Sequence, residues 1–157
     1  MLAGKPNTDM LTTAAARTRV KDFDMNRFAT THVTRVKEER APDGSCVLPL
    51  LSLQSGALAL FELRAGQVSQ AVRHRSVSEI WLVLSGQGSM WRQQGEREEI
   101  VALEEGACVS IPVGTAFQFR CDAGGPLRVA AATMPPWPGD EEAVFVPGKW
   151  GMSSAEG

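Results

Sequence analysis

The chain of 157 residues has no tyrosine, only two histidines and only three cysteines. The first absence removes the phenol from any chemistry the protein performs. Cys46, Cys108 and Cys121 are odd in number, widely spaced and form no CxxC pair, so they supply neither a disulfide framework nor a paired-thiol motif. No signal-peptide pattern precedes them, and they are expected as reduced thiols in a cytoplasmic protein. Long apolar runs are missing too: residues 47–53 and 57–63 are strand-length, far short of the ~20 residues of a membrane helix, so no membrane partner is expected. Sixteen basic residues against eighteen acidic ones give a net charge of −2, which excludes the basic footprint of a nucleic-acid binder. Repeats and low-complexity tracts are lacking. A chain of this length suits one domain, able to bury about 68–70% of the surface its unfolded form exposes.

What is present is a rhythm of turns. From residue 30 onward, short β-branched or apolar stretches alternate with turn signals such as Pro42-Asp43-Gly44, Ser55-Gly56, Ala65-Gly66, Ser85-Gly86, Gln94-Gly95, Glu105-Gly106 and Val113-Gly114. Turn residues recurring about every ten positions point to an all-β sandwich or barrel. Strands are expected at residues 31–36, 46–53, 57–63, 70–75, 79–85, 88–93, 97–103, 107–111, 116–121 and 127–133, a set that suits a two-sheet jelly roll. The chain divides into an N-terminal arm at 1–29, a barrel at 30–134 and a C-terminal strap and tail at 135–157. The arm is rich in Thr, Ala and Arg, but Asp9, Asp22 and Asp24 argue against a transit peptide. A short helix over residues 9–20, capped by Thr8 or Asp9, is its one expected element. Pro135, Pro136 and Pro138 lack amide donors and fix φ, so the segment after the last strand runs as an extended loop. It should fold back over the barrel, with Trp137 against an apolar edge of the barrel or of a partner subunit. A strap that covers a sheet edge is favoured over a moving lid.

Two stretches carry a resemblance. Gly66, His74, Glu79 and Gly86 stand at the spacing G-x5-H-x-H-x4-E-x6-G, with Val72 in place of the first histidine. Twenty residues on, Gly106, Pro112 and Gly114 follow G-x5-P-x-G-x2-H-x3-N, with Phe117 and Cys121 in place of the histidine and asparagine. Residues 48–135 thereby resemble the cupin superfamily through both of its signature motifs. The resemblance implies a double-stranded β-helix, or jelly-roll, barrel and a homodimer. Cupin enzymes generally hold a transition metal through histidines and one carboxylate, and two of the four expected ligands are missing here. No metal is therefore expected beyond a weak or lost divalent ion, because an open catalytic site needs at least three protein ligands.

Strand parity then assigns faces. If His74 points into the barrel, so does Val72, while Arg73 and Arg75 point away. Glu79 sends Trp81 inward, and Phe117, Phe119 and Cys121 share one face of their strand opposite Gln118 and Arg120. The expected site is a His74–Glu79 pair with catalytic capacity, set among the ligand-binding residues Val72, Trp81, Phe117, Phe119 and Cys121. An imidazole and a carboxyl placed in apolar surroundings cost several kcal/mol unless they pair or meet a ligand, so the two are expected within hydrogen-bond reach. Such a pair can act as an acid–base dyad. Cupin-type sugar epimerases use a histidine base and usually a tyrosine acid; here Cys121 or a glutamate would have to stand in for the phenol.

The expected function is a small-molecule-binding cupin with a decayed metal site and a mostly apolar pocket that keeps one polar pair. The alternative is a metal-dependent cupin enzyme, of dioxygenase or isomerase type, in which His32 or Cys121 joins His74 and Glu79. A third reading is a dimer whose pocket is filled by its own aromatic rings. Twelve of the sixteen basic residues are arginine, and most motif arginines are expected on a solvated or interface face.

Overall fold

The computed structural model describes residues 27–152. The helix expected at residues 9–20 lies outside the described residues. Among the described residues eleven strands run in the order β1 (Glu39–Arg40), β2 (Cys46–Leu53), β3 (Gly56–Leu63), β4 (Val72–His74), β5 (Ser78–Ser85), β6 (Gln87–Gln94), β7 (Arg97–Glu104), β8 (Cys108–Ile111), β9 (Ala116–Cys121), β10 (Leu127–Met134) and β11 (Ala143–Phe145). They form a six-stranded sheet in the order β1-β2-β3-β10-β5-β8 and a five-stranded sheet in the order β11-β4-β9-β6-β7. Every pairing is antiparallel. This is the expected all-β jelly roll. Among the described residues no helix is long and apolar enough to cross a membrane.

Alternation drives the packing. Along β5, Glu79, Trp81 and Val83 are buried while Ile80, Leu82 and Leu84 are exposed. The core between the sheets gathers Trp81, Met90, Leu103, Ile111, Phe117 and Phe119, all nearly free of solvent. Each such side chain stabilises the fold by about 1.5–3 kcal/mol. Close backbone approach demands glycine at the β5–β6 hairpin. Gly86 has φ 87°, and a Cβ there would lie 2.2 Å from the Pro126 carbonyl oxygen.

One expectation fails at the margins, and two short strands, β1 and β11, were not expected. Residues 31–36 form no strand: a 3-10 turn at Val33–Arg35 stands there instead, capped by His32, whose Nδ1 accepts from the Thr34 amide. Its β-branched residues read as a strand, but Val33 is exposed and has no sheet to pack against. The three-residue β11 was not expected, because so short a segment after a proline run carries no readable alternation. It pairs with β4 through Ala143↔His74 and Phe145↔Val72, so the strap seals an edge of the five-stranded sheet.

Beyond the strap, the chain crosses the outer face of β9. The Gln118 side chain donates to the carbonyls of Ser69 (2.9 Å) and Trp150 (2.8 Å) and accepts from the amides of Lys149 and Trp150 (both 2.9 Å). Gln118 points outward as parity requires, yet it is 1% exposed beneath this cover.

Candidate functional site

Strands of both sheets and the strap aim side chains at a cavity of about 350 Å³. Val72 and His74 come from β4, Glu79 and Trp81 from β5, Phe117 from β9 and Thr133 from β10. Thr133 is the direct cross-strand neighbour of Glu79. Val72 and Phe117, the apolar residues at two ligand positions of the resembling motifs, are cross-strand partners of each other. The loop and first strand around residues 39–43, with parts of β2 and β3, close the far wall, and Trp137 and Asp140 of the strap complete the near one.

The turn between β4 and β5 fixes the spacing of His74 and Glu79, and Glu142 holds that turn. Its carboxylate accepts from the amides of Ser76 and Val77 and from the Ser76 hydroxyl. Burial pushes the Glu142 carboxyl up, but these donors outweigh it and hold it below its usual value. Around His74 the rings of Phe117 and Trp137 stand edge-on, with centroids 5.2 Å and 4.9 Å away. Trp81 packs between Phe61, stacked at 5.7 Å, and Phe119, edge-on at 4.9 Å.

His74 and Glu79 share the inward face, as expected, but are not hydrogen-bonded. Nδ1 and Oε1 lie 3.8 Å apart, too far for a hydrogen bond, and among the described residues Nδ1 has no partner although it is buried. Glu79 is held instead through Oε2, which accepts from the Trp81 indole N–H. Desolvation pulls the His74 imidazole down from 6.5 to about 4, against the attraction of Glu142. It pushes the Glu79 carboxyl up from 4.5 to about 7, opposed by the Trp81 hydrogen bond and reinforced by the charge of Asp43. Although the separation suits an ion pair, the cost of burying two charges exceeds their mutual attraction, so burial favours the neutral imidazole and the protonated carboxyl.

Of the residues expected at the site, Val72, His74, Glu79, Trp81 and Phe117 line the cavity; Phe119 and Cys121 do not. They share the inward face of β9, but Phe119 lies beneath Trp81, and the Cys121 thiol donates to the Gly125 carbonyl at the opposite end of the strand. Parity gives the side of a sheet and not the depth along it. His32 is exposed on its capping turn. Neither His32 nor Cys121 joins His74 and Glu79, and no group of three His, Cys, Asp or Glu side chains among the described residues can hold a metal ion. The donor set does not fit the transition-metal site the resemblance implies.

Sequence reading missed Thr133 and Asp43. Thr133 ends the inward row Leu127, Val129, Ala131 of β10, and a polar residue closing an apolar row was a legible signal. Its hydroxyl, like His74 Nδ1, is buried without a partner among the described residues. Asp43, in the Pro42-Asp43-Gly44 turn, accepts from the Ser45 amide and hydroxyl, and burial raises its carboxyl nonetheless.

Residues 59–133 match the family model described as the cupin domain. No curated protein matches the chain in sequence. Among solved structures, a nucleoside dehydratase, which has also been solved from Streptomyces with uridine, superposes with a TM-score of 0.60 at 15% identity, covering 76% of this chain and 92% of that one. The capsular polysaccharide assembling protein CapF of Staphylococcus aureus gives 0.60 at 15% identity over 71% of this chain but only 34% of its own. An uncharacterized conserved protein with a double-stranded β-helix domain from Klebsiella pneumoniae gives 0.60 at 13% identity over 78% of this chain and all of the other. At such identities the likeness is one of fold.

Proposed function

We propose that this chain, a cupin by its family-model match and its fold, is a small-molecule-binding protein whose metal site has decayed and whose barrel pocket recognises its ligand through His74, Glu79 and Thr133. The supporting observation is the pair of unpartnered buried polar atoms, His74 Nδ1 and Thr133 Oγ1, in the wall of one cavity. An unmet buried polar group costs about 1–3 kcal/mol, and a ligand that meets both groups recovers that cost on binding. The volume suits a compact organic molecule, since ligand pockets run from about 300 to 1,000 Å³. Trp81, Phe117 and Trp137 supply apolar contact.

A thermal-shift screen with small molecules of all charge types tests this reading. Ligands should stabilise the wild type and act more weakly on Thr133→Val and on His74→Phe. A screen in which no class of compound stabilises the wild type overturns it. The pocket's donor set also predicts that dialysed protein keeps no stoichiometric transition metal. Elemental analysis giving near one metal per chain, lost in His74→Ala, would contradict that.

A second reading, an acid–base enzyme acting without metal, is favoured by the opposite displacement of the two pKa values. A neutral imidazole can accept a proton while a neutral carboxyl, 3.8 Å away, donates one. With no phenol in the chain, Glu79 would be the acid. Turnover that is lost in both His74→Gln and Glu79→Gln, with ligand binding kept, would distinguish catalysis from binding alone.

A further inference from the structure

From the arrangement of acceptors, acids and rings in the cavity we infer that its ligand class is a small primary organic ammonium carrying an apolar group, the –NH3+ donating to Glu79, His74 Nδ1 and Thr133 Oγ1. The assignment deepens the binding reading above and rests on it. An ammonium offers three donors and no acceptor. Glu79 Oε1 faces His74 Nδ1, the nitrogen of a neutral imidazole that can accept, and Thr133 stands directly across from Glu79 on β10. The Trp81 indole occupies Oε2 and leaves Oε1, the oxygen that faces His74, for a ligand.

The charge of the wall points the same way. Among the described residues, Glu39, Asp43, Glu79 and Asp140 line the cavity, and Arg40 is the one lining residue that is always cationic. Its guanidinium donates to the Gly44 carbonyl at 2.9 Å. Four acids against one guanidinium disfavour an anionic ligand and lower the energy of a cation. Phe61, Trp81, Phe117 and Trp137 surround the same space, and ring faces attract ammonium groups most strongly when both are shielded from water. Burial raises the carboxyls of Asp43 and Glu79, and at Glu79 the charge of Asp43 adds to this desolvation cost. A bound cation relieves it, whereas a neutral alcohol fills the hydrogen bonds and leaves the charge unmet.

Calorimetric titration of the full chain with benzylammonium, benzyl alcohol and benzoate at equal ionic strength tests the assignment. Benzylammonium should bind about tenfold more tightly than benzyl alcohol, in the range expected for a charge-assisted contact, and benzoate should not bind. Glu79→Gln should bring the ammonium-to-alcohol ratio close to one. Circular dichroism verifies that variant's fold; if it does not fold, Thr133→Val takes its place, and the ratio should fall several-fold. Alcohol binding as tightly as the ammonium, or benzoate binding best, overturns the ammonium assignment and leaves the binding reading standing. Absence of binding by all three probes also overturns the assignment, and the broader screen then decides the binding reading separately.

Discussion

At His74 and Glu79, folding moves a proton from one residue to another. Between pH 4.5 and 6.5 the unfolded chain carries it on the imidazole and the folded chain carries it on the carboxyl, because both folded values are displaced by burial. The two residues bind one proton in either state, so together they leave stability nearly flat across that window. Removing one exposes the other. In Glu79→Gln the depressed imidazole remains, the unfolded state binds the extra proton, and stability should rise relative to wild type from about pH 4 to pH 6.5. In His74→Gln the raised carboxyl remains, the folded state binds the extra proton, and stability should fall relative to wild type from about pH 4.5 to pH 7. Each slope should approach about 1.4 kcal/mol per pH unit at its steepest. Urea melts across this range check both signs, and parallel profiles in all three proteins would show that the pair is not buried as described.

Among the elements, the β5–β6 hairpin and the strap are the most exacting. A Cβ at Gly86 would strike the Pro126 carbonyl and one at Gly88 would sit 2.1 Å from the Arg120 oxygen, while Gly95 has open space around it. Gly86→Ala should therefore destabilise by about 3 kcal/mol or more through overpacking, and Gly95→Ala by only the ~1–2 kcal/mol of a left-handed residue. Thermal melts that rank the two equally would deny the close approach. Glu142→Ala leaves the buried Val77 amide without its acceptor and should cost about 2–3 kcal/mol. It should also weaken any pocket ligand, since Glu142 sets the turn between His74 and Glu79.

The strands inside both motifs were legible to within a residue or two, because glycine turns and strict alternation mark them. β11 was not, since its pairing with β4 is decided by where the strap lands. For the site, parity found Val72, His74, Glu79, Trp81 and Phe117. It misplaced Phe119 and Cys121 because depth depends on register between strands, which no single strand encodes. Asp43 and Thr133 come from outside the motifs, and only the closed barrel brings them to Glu79. Trp137 was expected to pack on the barrel edge, and its ring stands against His74 in the cavity wall.

Across the whole molecule, the outer face of the six-stranded sheet presents Leu58, Ile80, Leu82 and Leu84, each more than two-fifths exposed. Ala132 lies between Leu58 and Ile80 in the register, so the apolar rows are continuous across β3, β10 and β5. A contiguous apolar patch of this kind is unusual on a monomer. The homodimer expected from the sequence should appear in light scattering, and Leu82→Glu should return it to monomer mass. A wild-type monomer would contradict that expectation.

The placement of β10 carries a consequence for synthesis. It sits between β3 and β5, pairing Leu127 with Leu63 on one side and Ala132 with Ile80 on the other. On the ribosome both neighbours emerge long before the strand that joins them, and each meanwhile offers an unpaired edge beside apolar side chains. A pause in translation ahead of residue 127 prolongs that exposure without altering the finished protein. Slow codons introduced there should therefore lower the soluble yield in cells while the purified product melts at an unchanged temperature.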